Sequence, residues 1–170
     1  PDDGQTVLRG TFGEGFRAPT LTEGQPPYGN SALKPETARN FDLGIERSFM
    51  DGAIKTGITL YRRRSQNQIA FSFITFQSEN IERVTSKGLE FTLALKPTEN
   101  FTVEGYYSLT DARDKSAGST FDKRLALRPQ DMARVAFDWK SPWKLALGAD
   151  IHMVGDSFDN PSNTVPLDGY

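Results

Sequence analysis

The side chains most able to do chemistry are few in this chain, and their spacing suits recognition better than catalysis. His152, within "GADIHMV", is the single histidine of 170 residues, and there is no cysteine. A thiolate nucleophile and a multi-histidine or cysteine metal site are therefore excluded. A Ser-His-Asp relay would have to use His152, which alternation places on a polar strand face beside Asp150. "GTFGEG" (Gly10 to Gly15) has the glycines of a phosphate loop but no Gly-Lys-Ser/Thr to hold a nucleotide. Asp111 and Asp114 are a close pair of carboxylates, yet they fall in a loop-like stretch where solvated charge is the default. We expect no enzyme, no metal and no cofactor. Recognition groups remain: the basic run "YRRR" (Tyr61 to Arg64), Arg83 and Lys87, and arginines and aromatics in the loops. A net charge of −2 provides no general attraction for nucleic acid.

The elements that must position these groups show period-two alternation almost throughout. In "RNFDLGIERSF", Phe41, Leu43, Ile45 and Phe49 share one face, and Asn40, Asp42, Gly44, Glu46 and Ser48 the other. Ile54, Thr56, Ile58 and Leu60 continue the pattern, then Leu89, Phe91, Leu93 and Leu95. Phe101, Val103, Tyr107 and Leu109 follow, then Ala133 to Trp139, and Trp143 to Ile151. A helix would repeat near every ~3.6 residues, so this is antiparallel β structure of about seven long strands. Short turns are expected at Asp51-Gly52, Pro97 to Asn100 and Lys140 to Pro142. Longer loops are expected at Glu14 to Ala38, Ala112 to Leu125 and Gly155 to Pro166, with a strand tip near Ile74 and an eighth strand starting at Leu167. Alternating strand directions put the short turns at one end and the long loops at the other.

Aromatic residues collect at the short-turn end. Phe49, Phe101, Trp139 and Trp143 all fall on the apolar face at one level, as they do where a membrane barrel meets the headgroups. The apolar segments approach the roughly 9–11 residues of a tilted spanning strand. A mean hydropathy of −0.52 is then no obstacle, because the opposite face and the loops are wet. A soluble β-sandwich, for example a carbohydrate-binding module, would use the same alternation to bury that face. Asp51-Gly52 sets Ile45 opposite Ile58, and matching the apolar bands sets Leu60 opposite Leu89 and Arg62 opposite Lys87. Arg62, Arg64, Arg83 and Lys87 then lie on the apolar side just above the band. Like charges placed opposite each other are costly unless an anion lies between them, so lipopolysaccharide phosphate is one expected partner and a solvated basic rim the other reading.

Several segments, in order, resemble TonB-dependent outer-membrane receptors. They are "GTFGEGFRAPTLTE" (Gly10 to Glu23), "GNSALKPETARNFDLGIE" (Gly29 to Glu46), "NIERVTSKGLEF" (Asn80 to Phe91), "YSLTDARD" (Tyr107 to Asp114) and "RLALRPQDMARVAFDW" (Arg124 to Trp139). The resemblance implies a transmembrane β-barrel of about 22 strands in the Gram-negative outer membrane. It implies TonB-driven import of a scarce nutrient such as a ferric siderophore or cobalamin. A plug domain, outer-membrane lipid and the TonB complex would be the partners. Residues 1–170 would be a late part of that barrel, without plug or last strands, and the start at Pro1 reads as a mature or excised piece. Gly44 and Gly88 would leave room for the plug, and Glu46 and Glu90 could pair with a plug arginine. The candidates for ligand contact are Arg17, Tyr28, Phe76, Gln77 and Arg113, because arginines and aromatics suit planar or anionic chelates.

Overall fold

The computed structural model describes residues 5–73 and 75–170; the strand tip expected near Ile74 and the start at Pro1 lie outside the described residues. Seven long strands form one antiparallel sheet in chain order, each hydrogen-bonded to the next. They are β1 (Thr6–Arg17), β2 (Glu36–Phe49), β3 (Ile54–Ser72), β4 (Gln77–Thr98), β5 (Phe101–Asp114), β6 (Asp131–Lys140) and β7 (Ala146–Val154). A short α-helix, α1 (Leu21–Gly24), a 3-10 turn at Met50–Gly52, and a two-stranded ribbon of β8 (Ser157–Phe158) and β9 (Pro166–Leu167) complete the described elements.

The register follows from the apolar pattern. A one-residue slip would turn every apolar side chain to the other face. Ile45 lies opposite Ile58, Leu43 opposite Leu60, Leu60 opposite Leu89 and Arg62 opposite Lys87. Each row continues across the sheet: Ile58 meets Phe91, Phe91 meets Tyr107, and Tyr107 meets Ala133.

Local chemistry explains the turns. Asp51 and Gly52 both have positive φ, at 52° and 88°, and the Ala53 N–H donates to the Met50 carbonyl at 2.9 Å. Asp-Gly is suited to that backbone because only glycine enters it freely and aspartate tolerates it. The second turn is narrower than expected, just Glu99 and Asn100 between the Thr98–Phe101 pair. Lys96 and Pro97 bulge against Thr102, a position where a residue without an N–H costs the ladder nothing. The third turn is longer than expected and keeps Trp143 out of β7. Ser141 Oγ accepts the Trp143 N–H at 3.1 Å, and the Ser141 N–H donates to the Leu145 carbonyl at 2.7 Å. The eighth strand is also displaced. Leu167 pairs with Ser157 in the small ribbon, and it is Tyr170 that meets the β7 edge, through two backbone hydrogen bonds to Val154.

No second sheet covers the apolar face among the described residues. Among the described residues the buried apolar side chains are Val84, Ala112 and Ala136, whereas Leu43, Leu60, Leu147 and Ile151 each stay about half exposed. A soluble sandwich would have buried these residues. This sheet leaves its apolar side chains uncovered, as a lipid-facing wall does. The polar face is close-packed at one point: a Cβ on Gly88 would lie 2.2 Å from the Leu109 carbonyl oxygen and 2.6 Å from Tyr61 Oη. Tyr61 reaches across Gly88 to Thr110 with an Oη to Oγ1 distance of 2.6 Å, so the tyrosine fills the room that Gly88 leaves.

Candidate functional site

β3 and β4 are the longest strands, 19 and 22 residues, and run well past the ends of their neighbours. From Arg62 to Ser72 the strand extends roughly 30 Å beyond the apolar band along its own axis, at ~3.3 Å per residue. The connection between β1 and β2 folds against it. Asn80 accepts the Lys34 N–H at 2.8 Å and donates to the Lys34 carbonyl at 3.0 Å, and the Ser78 N–H donates to the Tyr28 carbonyl at 2.9 Å. These bonds bring Tyr28 to the tip, where its ring meets Phe71 edge-on at 6.3 Å and Phe71 meets Phe73 at 5.3 Å. Tyr28, Phe73 and Phe76 remain 62%, 80% and 61% exposed, an unusual amount of aromatic surface for a loop tip. Phe76 closes the hairpin with a φ of 53°, and the exposed Gln77 opens β4 beside it. Three of the five expected contact residues, Tyr28, Phe76 and Gln77, thus lie at the same end of the β3–β4 hairpin. Phe71, Phe73 and Asn80 join them, although the sequence offered no local mark beyond aromatics near a strand end.

Arg17 lies lower and is fully engaged. Its guanidinium donates to Glu23 at 2.9 and 3.1 Å and to Glu36 at 2.7 Å. Glu23 also accepts the Thr20 N–H at 2.8 Å in the capping box that starts α1, and Glu36 accepts the Ile69 N–H at 2.7 Å. One arginine therefore ties β1, α1, β2 and β3 together at the base of the loop. The Arg17 hydrogen bond pulls the Glu23 carboxyl down to about 2, and the same guanidinium holds Glu36 below the usual carboxylate range. Arg17 is placed to brace the site, not to project into it.

Arg113 is elsewhere. It lies in β5, not in a loop, opposite Thr85 on the apolar side of the sheet, and donates to Asp111 two residues back at 2.7 Å. Lys87 lies opposite Asp111 in the next row, 3.6 Å from it as an ion pair, and Arg62 lies opposite Lys87. Arg64 is opposite Thr85 and Arg83 opposite Gln66. Arg113 thus belongs with the basic patch and not with Tyr28.

At the other end, Phe49 pairs with Ile54, Phe101 pairs with Trp139, and Trp143 tops the third turn, 81% exposed. On the polar face Glu46 and Asp150 find partners within the sheet. Arg9 donates to Glu46 at 3.0 Å, Arg134 holds Asp150 through Nε and Nη2, and His152 Nε2 lies 2.9 Å from Asp150. Glu46 therefore has a partner of its own in this chain.

A wall of seven up-and-down strands, apolar outside, with short turns at one end and aromatic-tipped hairpins at the other, has counterparts among known proteins. The family profile described as "TonB dependent receptor-like, beta-barrel" matches residues 1–170. The chain belongs to this family. Its apolar face is the lipid side of an outer-membrane barrel, its polar face the lumen side, and its long hairpins point outward. Among curated relatives, a vitamin B12 transporter of Vibrio vulnificus is 29% identical over 93% of this chain and 25% of that protein. A ferric enterobactin receptor of Pseudomonas aeruginosa is 24% identical over 89% of this chain and 24% of that protein. Among solved structures, the siderophore receptor PiuA of Acinetobacter baumannii superposes with a TM-score of 0.78 at 16% identity, over 97% of this chain and 26% of that one. The chain spans about a quarter of the length of the curated relatives it matches. Its seven strands correspond to a stretch of a TonB-dependent barrel wall.

Proposed function

We propose that this segment forms part of the wall and outer mouth of a receptor that imports a ferric siderophore, cobalamin or a similar scarce chelate. The parent protein would carry the plug and the contact with the TonB complex outside these residues. The observation that carries the reading is the exposed aromatic cluster of Tyr28, Phe71 and Phe73, with Phe76 exposed on the same hairpin, held above the barrel by bonds through Asn80 and Arg17. Planar aromatic or catechol-like groups stack on such rings, and each ring contact contributes about 0.5–1.5 kcal/mol. By alternation Phe71 is on the lumen side, in line with the path a captured ligand would take. Capture at this tip would precede entry, and TonB-delivered energy would then move the plug.

The test is binding of ferric siderophores and cobalamin to the full-length receptor carrying Tyr28→Ala with Phe71→Ala. Affinity for the transported chelate should fall roughly tenfold, from about 1.4 kcal/mol of lost stacking, with outer-membrane assembly unchanged. Wild-type affinity in the double variant would remove this tip from the ligand path. Uptake that persists after the proton gradient is collapsed would count against TonB coupling.

A further inference from the structure

We propose that the outward face of β3, β4 and β5, just above the apolar band, is a docking surface for the phosphorylated headgroup of an outer-leaflet glycolipid of the lipopolysaccharide type. The proposal rests on the membrane placement of the barrel and does not depend on which nutrient is carried.

The register sets cations side by side where strands usually alternate charge. Arg62 is beside Lys87, and one row further out Arg39 is beside Arg64. Neighbouring like charges repel unless a counter-ion lies among them. Arg39 has Glu14 at 2.6 Å, but Arg62, Arg64 and Arg83 form no ion pair among the described residues. Arg62, Lys87, Arg113 and Lys115 surround a shallow depression of about 360 Å³ that also holds Asp111 and Asp122. Asp122 accepts Lys115 Nζ, which keeps its carboxyl below the usual range and ionised. Four cations against two carboxylates leave a net charge of +2 in the depression, before Arg64 and Arg83 are added. Arg62 has no ion pair among the described residues, and Lys87, with 66% of its side chain exposed and its nearest carboxylate at 3.6 Å, is the least committed of the other three.

A second groove selects a lipid over a free anion. Immediately below, an apolar hollow of about 370 Å³ is walled by Leu60, Leu89 and Leu109 and shares Lys87 and Asp111 with the depression above. A cationic cup stacked on an apolar groove, on the side facing hydrocarbon, has the polarity profile of a phosphorylated amphiphile. Inorganic phosphate would use only the upper half.

The experiment counts lipid A bound to the full-length receptor, purified from outer membranes in mild detergent, by native mass spectrometry. Arg62→Gln, Arg64→Gln and Lys87→Gln together should weaken retention on the order of a hundredfold, near fivefold for each cation at an anionic surface. Lys55→Gln with Arg63→Gln, which removes charge from the lumen face of the same strand, should leave retention unchanged. Lipid A stripped of phosphate should bind the wild type as weakly as phosphorylated lipid binds the triple variant, and inorganic phosphate should not displace the lipid. Undiminished retention in the triple variant, or equal loss in both variants, would overturn the proposal. Equal binding of the dephosphorylated lipid, or full displacement by inorganic phosphate, would do the same. If the triple variant fails to assemble, Lys87→Gln alone keeps the comparison, with a loss of about fivefold expected.

Discussion

Ile58→Arg against Thr59→Arg separates a lipid-facing wall from every other use of this sheet. The two residues are adjacent in β3 and point to opposite faces, Ile58 into the row with Ile45 and Phe91, Thr59 into the row with Gly44 and Glu90. Ile58 is four residues from Ile54, at the inner edge of the apolar band, and four from Arg62, above its outer edge. At ~3.3 Å per residue and a tilt near ~40°, that puts it roughly 10 Å in depth from each boundary, close to the midplane. An arginine there should cost about 2–4 kcal/mol. Thr59→Arg faces water and should change stability by no more than about 0.5 kcal/mol. The first loss is a roughly 30- to 700-fold drop in the folding equilibrium constant. Denaturant titration of the full-length receptor in phospholipid vesicles, followed by tryptophan fluorescence, reads both variants directly. A cost for Thr59→Arg equal to or above that for Ile58→Arg would refute the assignment of the two faces.

Further outcomes follow from single contacts. Gly88→Ala forces a Cβ to within 2.2 Å of the Leu109 carbonyl, so assembled receptor should fall by the ~1–3 kcal/mol typical of overpacking, read as heat-modifiable gel migration. Tyr61→Phe keeps the ring over Gly88 and loses only the Thr110 hydrogen bond, with an expected cost near ~1 kcal/mol in the same vesicle titration. The Arg17–Glu23 brace should be acid-sensitive with a defined sign. The folded carboxyl lies at about 2 against an ordinary 4.5, so its contribution is complete above the ordinary value and fades as pH falls toward 2. Hydrogen exchange across residues 18–35 should therefore be slow and pH-independent in protection at neutral pH and lose protection only in that acid window. Glu23→Gln should expose the segment at neutral pH as well, and protection that persists in this variant would contradict the brace.

Much of this architecture was legible in the chain because it rests on local rules. Period-two alternation defined the strands and their two faces, and Asp51-Gly52 anchored a register that the apolar bands then carried across β2, β3 and β4. The aromatics at the short turns and the ordered run of family-like segments indicated the outer membrane. Positions that depended on side chains reaching over one another were not legible. Arg17 reads as a free loop arginine until Glu23 and Glu36 fold around it, 6 and 19 residues away. Arg113 reads as a loop residue until β5 extends to Asp114 and turns it outward toward the basic patch. Gly88 reads as space for another domain, yet Tyr61 fills it from the neighbouring strand. Tyr28 and Phe71 are 43 residues apart in sequence and meet only because Asn80 pins one loop against another hairpin. Alternation is a property of neighbours along the chain, so sequence alone determined the wall and its two faces. Which groups share a site depends on long-range closure between loops, and only the tertiary structure decided that.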